Sequence, residues 1–184
     1  MSSATRFAWL SSPIGDLLLT TRDGALTSLH MINQRSDHPI PNDWCEGDEV
    51  LDAARDQLDA YFEGRLQHFD LPIQMSGTPF QLRVWDELRK IPYGETISYM
   101  ELARRVGNSG ASRAVGSANG RNPISIIVPC HRVIAAAGTL GGYGGGLDRK
   151  LWLLEHEAHG LGREAPASWT VHEAKSRRLP LLVS

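Results

Sequence analysis

Asn122-Pro123-Ile124-Ser125-Ile126-Ile127-Val128-Pro129-Cys130-His131-Arg132 is the stretch around which the rest of the chain is read. The apolar run Ile124 to Val128 predicts a short interior strand or extended segment. Pro129 fixes its own φ and removes a backbone donor, so pairing stops there and Cys130 sits at a rigid exit. A thiol is a strong nucleophile only as the thiolate, which neighbouring cations favour and apolar surroundings disfavour. His131 and Arg132 supply the polar, electropositive setting that such a cysteine needs. Taken alone, a cysteine after an apolar run reads more readily as a buried structural residue.

The remaining 184-residue sequence bounds what this segment can serve. The length buries a real core in one large or two small domains. No apolar run of 18 residues or more occurs, and no basic segment followed by an apolar one opens the chain, so neither a membrane span nor a secretory signal is expected. Two cysteines, Cys45 and Cys130, make no disulfide framework and fit a reducing cytoplasm. The net charge of −2 hides an asymmetry. Residues 1–75 carry 5 Lys+Arg against 12 Asp+Glu, net −7, whereas residues 76–150 carry 10 against 5, net +5. A basic middle third suits a phosphate-backbone partner, although charge alone does not name DNA.

Taken in order, residues 5–31 predict a three-stranded antiparallel meander. Phe7 and Trp9 alternate with polar neighbours, and turns fall at Ser12-Pro13-Ile14-Gly15-Asp16 and Arg22-Asp23-Gly24. Residues 33–49 read as an acidic loop. Leu51, Ala54, Leu58, Tyr61 and Phe62 share one face of a helix that stops at Gly64, and residues 66–73 offer a further strand. Thr78 as N-cap and Pro79 at the first helical position start a new helix with Val84, Trp85 and Leu88 inward. Helices over Ser98 to Val106 and Ala111 to Asn119 flank the turn Asn108-Ser109-Gly110, which is the helix-turn-helix pattern. A last helix begins at Leu147, with Leu147, Leu151 and Leu154 as its expected buried stripe. Lys150 and Glu157, seven apart, share a face of it and can point at one site.

Two segments resist an ordinary structural reading. Ser112 to Gly120 is almost without large side chains, and Gly116 costs about 1 kcal/mol of helix stability relative to Ala. So smooth a helix can approach another surface closely, with Arg113 as its one long cation. Gly138 to Gly146 is rich in glycine, but no Gly-Lys-Ser/Thr follows, which excludes a P-loop. One cysteine and three histidines in the N-terminal half (Cys45, His30, His38, His68) have no spacing that supports a metal site.

Pro129-Cys130-His131-Arg132-Val133, with Asn122-Pro123 upstream and a Leu-Leu-x-x-Glu helix downstream, resembles the O6-alkylguanine-DNA alkyltransferases, the methylated-DNA–protein-cysteine methyltransferases. The similarity runs from about Gly77 to His159, with looser cues toward the N-terminus. It implies an α/β N-terminal domain over 1–76, a three-stranded antiparallel sheet plus helix that is ribonuclease H-like. A mostly α-helical, winged-helix-like domain with the helix-turn-helix would follow over 77–162, and then a tail over 163–184.

The resemblance also implies roles. Cys130 would accept the alkyl group irreversibly, once per molecule, with no cofactor and no metal. Glu157 would hold His131, which would deprotonate Cys130 through a water, and Asn122 would brace the turn before the cysteine. The second helix would lie in the minor groove, with Ala114, Gly116 and Ser117 allowing close approach. Arg113 would replace the nucleotide being flipped out, and Tyr99 would help turn it and donate to the guanine ring. Val133, Tyr143, Gly144 and Lys150 would line the base pocket. Gly144 stands where some relatives have a serine, which leaves room for bulkier alkyl groups. The expected partner is double-stranded DNA carrying O6-alkylguanine, with O4-alkylthymine as a second lesion. No membrane contact is expected, and the protein would be a cytoplasmic monomer with cooperative binding on DNA left open. An alkyltransferase-like damage sensor would lack the cysteine. A winged-helix regulator leaves Cys130, Glu157 and the glycine loop unexplained, and a cysteine hydrolase lacks a recognisable oxyanion hole.

Overall fold

Asp23 and Gly24 both take positive φ (52° and 76°), the backbone that lets a two-residue turn match the twist of its strands. Around that turn the computed structural model, which describes residues 4–169, builds the first of two compact units, the described residues up to Ser76 together with Pro123–Ser125. Strands β1 (Arg6–Ser12), β2 (Gly15–Arg22) and β3 (Ala25–Ile32) form the expected antiparallel meander. A two-residue strand β4 (Cys45–Glu46) pairs parallel to β1 and sets the order β3-β2-β1-β4. Residues 33–49 are therefore not all loop. Neither β4 residue is buried, so no apolar pattern marks it, and only the backbone bonds from Cys45 N to Thr5 O and Gly47 N to Phe7 O create it.

Along β1 burial alternates, but in the opposite phase: the apolar Ala8 and Leu10 are the buried residues, not Phe7 and Trp9. Phe7 meets Trp44, and Trp9 lies under the Arg35 guanidinium, so their face is covered by side chains from the following segment. Helix α1 (Glu49–Phe62) packs Leu51, Ala54, Leu58, Tyr61 and Phe62 inward, as the sequence spacing predicts. Asp48 caps it, accepting from Leu51 N at 2.7 Å and from the Thr21 hydroxyl. Two expectations change here. Residues 66–73 contribute only an isolated bridge from Ile73 to Leu26. The apolar run after Asn122 is likewise no strand: only Ile124 bridges Leu29 of β3.

The second unit comprises Gly77–Asn122 and the described residues from Ile126 onward. Helix α2 (Pro79–Leu88) starts with a complete capping box, in which the Thr78 hydroxyl accepts from Gln81 N and the Gln81 side chain accepts from Thr78 N. A two-residue strand β5 (Ile97–Ser98) leads into α3 (Tyr99–Arg105), capped by Ser98, and a glycine-containing turn leads to α4 (Ser112–Gly120). Trp85 Nε1 donates to Ala118 O at 2.9 Å and ties α2 to α4. β6 (Val133–Ile134) pairs parallel with β5, and α5 (Leu147–Gly160) closes the unit.

The expected leucine stripe on α5 is shifted. Leu147 is exposed and Leu151 only half-buried, whereas Lys150, Trp152, Leu153, Leu154, Glu157 and Ala158 are buried. The inward face carries two charges, so a hydropathy pattern assigns it to the wrong side. Among the described residues no helix is long and apolar enough to cross a membrane, and no three metal-binding side chains cluster. Of the expected tail, residues 170–184 lie outside the described residues.

Candidate active site

The cysteine segment is shaped by a costly turn. Ile126 takes φ 70°, and a β-branched residue there is a true outlier, worth about 1–3 kcal/mol of strain that surrounding contacts must offset. Asn122 Nδ2 donates to Val128 O at 2.7 Å, and Cys130 N donates to the same carbonyl at 2.8 Å. Pro129, at φ −82° and ψ 66°, is the centre of this inverse γ-turn. The next residues, Cys130–Arg132, make one turn of 3-10 helix. Asn119 Nδ2, on the inner side of α4, donates to Cys130 O at 3.2 Å. Cys130 is thus held by its backbone from two directions, and it is only 4% exposed.

Behind the thiol stands a buried ionic cluster. His131 Nε2 lies 2.9 Å from Glu157 Oε1, with both side chains fully buried. Arg132 approaches the same carboxylate with Nε at 3.0 Å from Oε2 and Nη2 at 2.9 Å from Oε1, while its Nη1 donates to Ile91 O at 2.6 Å. Gly94 N adds a further donor to Glu157 Oε2 at 3.0 Å. Burial opposes ionisation of Glu157, but the hydrogen bond from His131 and the bonds and charge of Arg132 outweigh it and hold the carboxyl well below the usual carboxylate range. Burial keeps His131 neutral despite Glu157, with Arg132 and Lys150 acting in the same direction. Its Nε2–H then faces the carboxylate, leaving the buried Nδ1 as a base without a partner among the described residues.

Arg132 therefore serves Glu157, and the sequence-adjacent cation is not what the thiol meets. The charge beside Cys130 is Lys150. Burial pushes the thiol up, against the nearby Asn122 and Tyr143 side chains and the Lys150 ammonium, which favour the thiolate. At rest Cys130 is therefore a buried, protonated thiol. Lys150, fully buried, donates to Val133 O at 2.6 Å and to Gly142 O at 3.4 Å, with its Nζ 6.0 Å and 5.9 Å from the ring centres of Tyr99 and Tyr143. Burial lowers its pKa to about 8, against the Cys130 charge.

The other anticipated residues fall into two places. Tyr99, half-buried at the start of α3, donates from its hydroxyl to Gly142 O at 3.2 Å. The Tyr143 hydroxyl is buried near Cys130, and burial, followed by the negative charge of a Cys130 thiolate, raises its pKa well above the ordinary tyrosine value. A Cβ on Gly144 would meet Gly120 O at an ordinary 3.6 Å, so packing does not demand glycine there. Val133 is buried and contributes its carbonyl to Lys150. On α4, Arg113, Ala114 and Ser117 are exposed together while Val115, Ala118 and Asn119 face inward. Gly116 is half-buried, and a Cβ there would touch the Tyr99 ring at 3.7 Å.

Sequence reasoning missed Asn119 and the pairing of Arg132. Arg132 is a cation directly after His131, and only the contact with Glu157 reveals its partner. Asn119 is a polar residue at an inward helical position, a signal readable once Val115 and Ala118 define that face.

Family models match both units. The 6-O-methylguanine DNA methyltransferase ribonuclease-like domain matches residues 5–75, and the DNA binding domain of the same family matches residues 79–159. A methylated-DNA–protein-cysteine methyltransferase of Mycolicibacterium paratuberculosis is 51% identical over 164 residues, covering 89% of this chain and 96% of the relative. One from Mycobacterium leprae is 54% identical over 150 residues, covering 82% and 90%. Among solved structures, that of Mycobacterium tuberculosis OGT in complex with DNA has a TM-score of 0.77 at 50% identity, covering 84% of this chain and 94% of that one.

Proposed function

The chain belongs to the 6-O-methylguanine DNA methyltransferase family, and from that premise we propose that it repairs O6-alkylguanine in duplex DNA by moving the alkyl group to its own Cys130. The observation that carries the reading is a 4%-exposed cysteine, pinned on a strained turn, with a neutral His131 on ionised Glu157 behind it and Lys150 and Tyr143 beside it. A solved relative in complex with DNA supports the partner.

His131 Nδ1 takes the Cys130 proton through a bridging water. The sulfur attacks the alkyl carbon in line, the S–C bond forms as the C–O6 bond breaks, and the electron pair passes into the guanine ring. The ring then takes up a proton and guanine is restored. Cys130 is left as a thioether, so each molecule acts once, without cofactor or metal. Burial of the thiol suits this chemistry, because it bars adventitious alkylation and provides a dry, oriented pocket. Lys150 supplies positive charge as the thiolate forms, and the Tyr99 hydroxyl donates to the guanine ring.

Access to the lesion requires extrusion of the nucleotide, which costs a few kcal/mol. The exposed face of α4 carries Arg113 for insertion into the stack and Ala114 and Ser117 for close approach, with Gly116 set behind them. We propose that the protein is a monomer in solution and resides in the cytoplasm. Gly144 leaves the pocket wall open to substituents larger than methyl, which relative transfer rates for methyl and benzyl lesions test. Arg113→Ala separates flipping from chemistry: it should slow repair of an O6-methylguanine duplex by on the order of tenfold or more while leaving attack on free O6-benzylguanine near the wild-type rate. Equal loss on both substrates would refute the insertion role.

A further inference from the structure

The loop that brings Tyr143 to the thiol has no regular structure, so its position depends on a few grips. Its first limb is closed by Ala135 N to Thr139 O at 2.9 Å and Gly138 N to Ala135 O at 2.9 Å. On its second limb, Gly146 N donates to Tyr143 O at 3.1 Å. The side-chain grips on that limb come from Tyr99, whose hydroxyl donates to Gly142 O at 3.2 Å, and from the first turn of α5. Lys150 Nζ reaches Gly142 O at 3.4 Å, and Arg149 Nη1 donates to Gly145 O at 3.3 Å. Arg149 is half-buried and lies close enough to Tyr143 for its charge to act on that hydroxyl. The transfer mechanism above gives Arg149 no task. A cation in the first turn is also unfavourable for the helix dipole, so helix stability does not account for it.

We propose that Arg149 is a positioning residue for the transfer: by holding the Gly145 carbonyl, its guanidinium fixes the limb that presents the Tyr143 hydroxyl to the Cys130 sulfur. The role rests on Cys130 being the alkyl acceptor. The buried Tyr143 hydroxyl lies close enough to the sulfur to act on its ionisation, and by donating to the sulfur as the proton leaves it would favour the thiolate. If the limb loosens, the thiolate loses that donor, and transfer requires a higher pH to reach the same rate.

The test compares wild type, Arg149→Met and Arg149→Lys on free O6-benzylguanine and on an O6-methylguanine duplex, from weakly acidic to alkaline pH. Arg149→Met should slow both substrates by a similar factor, roughly tenfold, within the range that displacing a supporting group costs. Its pH–rate profile should move to higher pH, and Arg149→Lys, which keeps a cationic donor for the carbonyl, should recover most of the rate and the profile. Loss on the duplex alone would make Arg149 a phosphate contact and overturn the proposal, as would unchanged rates and profiles in both variants. Absence of transfer by the wild type would instead remove the reading beneath it. If the methionine variant does not fold, a lysine variant with a shifted profile on both substrates supports the role, and one that loses only duplex activity rejects it.

Discussion

The two ends of α5 bury opposite charges in opposite ways. Glu157 receives Arg132 from two nitrogens, His131 from a third and the Gly94 amide from a fourth. Lys150, seven residues earlier, has two carbonyl oxygens and two aromatic rings, and no carboxylate within ion-pair distance among the described residues. Neither charge suits its place on the helix, since a cation is unfavourable in the first turn and an anion in the last. Both are there for what they face. The compensated anion fixes the position of His131. The under-compensated cation gains a partner when Cys130 loses its proton, so that end is poised to react.

Removing the compensated charge should do the most damage. Glu157→Gln leaves Arg132 buried beside a neutral amide and should cost about 3–5 kcal/mol, read as a fall in the urea midpoint. Transfer should slow by on the order of a hundredfold or more as His131 loses its orientation. The pH dependence has a definite sign. The Glu157 pKa is depressed on folding, so its contribution is fully present above the unfolded carboxylate pKa of about 4.3 and is lost as pH falls toward the folded value. The variant should have a flatter acid limb than wild type. A midpoint that barely moves would break the comparison.

Lys150→Met should behave differently. Replacing an under-compensated buried charge with an apolar side chain of similar length should leave stability at neutral pH within about 1 kcal/mol of wild type, or raise it. Transfer should nonetheless slow by roughly tenfold or more as the thiolate loses its cation. The folded Lys150 pKa is lowered to about 8, against about 10.4 in an unfolded chain. Between those values the unfolded chain binds more protons, so wild-type stability should rise with pH through that window. Lys150→Met should lack the rise, which urea titrations at neutral and alkaline pH would reveal. Smallest of all, Thr78→Ala removes the α2 capping box far from either charge. It should cost about 1 kcal/mol and leave transfer unchanged. A matching loss of transfer would mean that stability alone explains the first two results.

What the sequence disclosed follows from how local each signal is. Thr78-Pro79, Asp23-Gly24 and the apolar face of α1 are set by neighbours a few residues away, and each appears in the structure where its local chemistry puts it. The run after Asn122 misleads because Ile124, Ile126 and Val128 are buried alternately, as in a strand, while the backbone turns through a positive φ at Ile126. On α5 the apolar stripe misplaces the inward face because hydropathy cannot anticipate a buried lysine and glutamate. Cys130, His131, Glu157 and Lys150 could be nominated from the chain, and the structure gathers them. That Arg132 answers Glu157 while Lys150 answers the thiol depends on side-chain directions that adjacency in sequence does not encode.

The central claim is that Cys130 is the terminal acceptor of the alkyl group. Wild-type protein should be incubated with a duplex containing O6-methylguanine, weighed intact and then mapped by peptide mass. The account predicts a gain of one CH2 located on Cys130, with unmodified guanine restored in the duplex. Tight binding with no gain in mass, or a methyl group found on Cys45 instead, would contradict it.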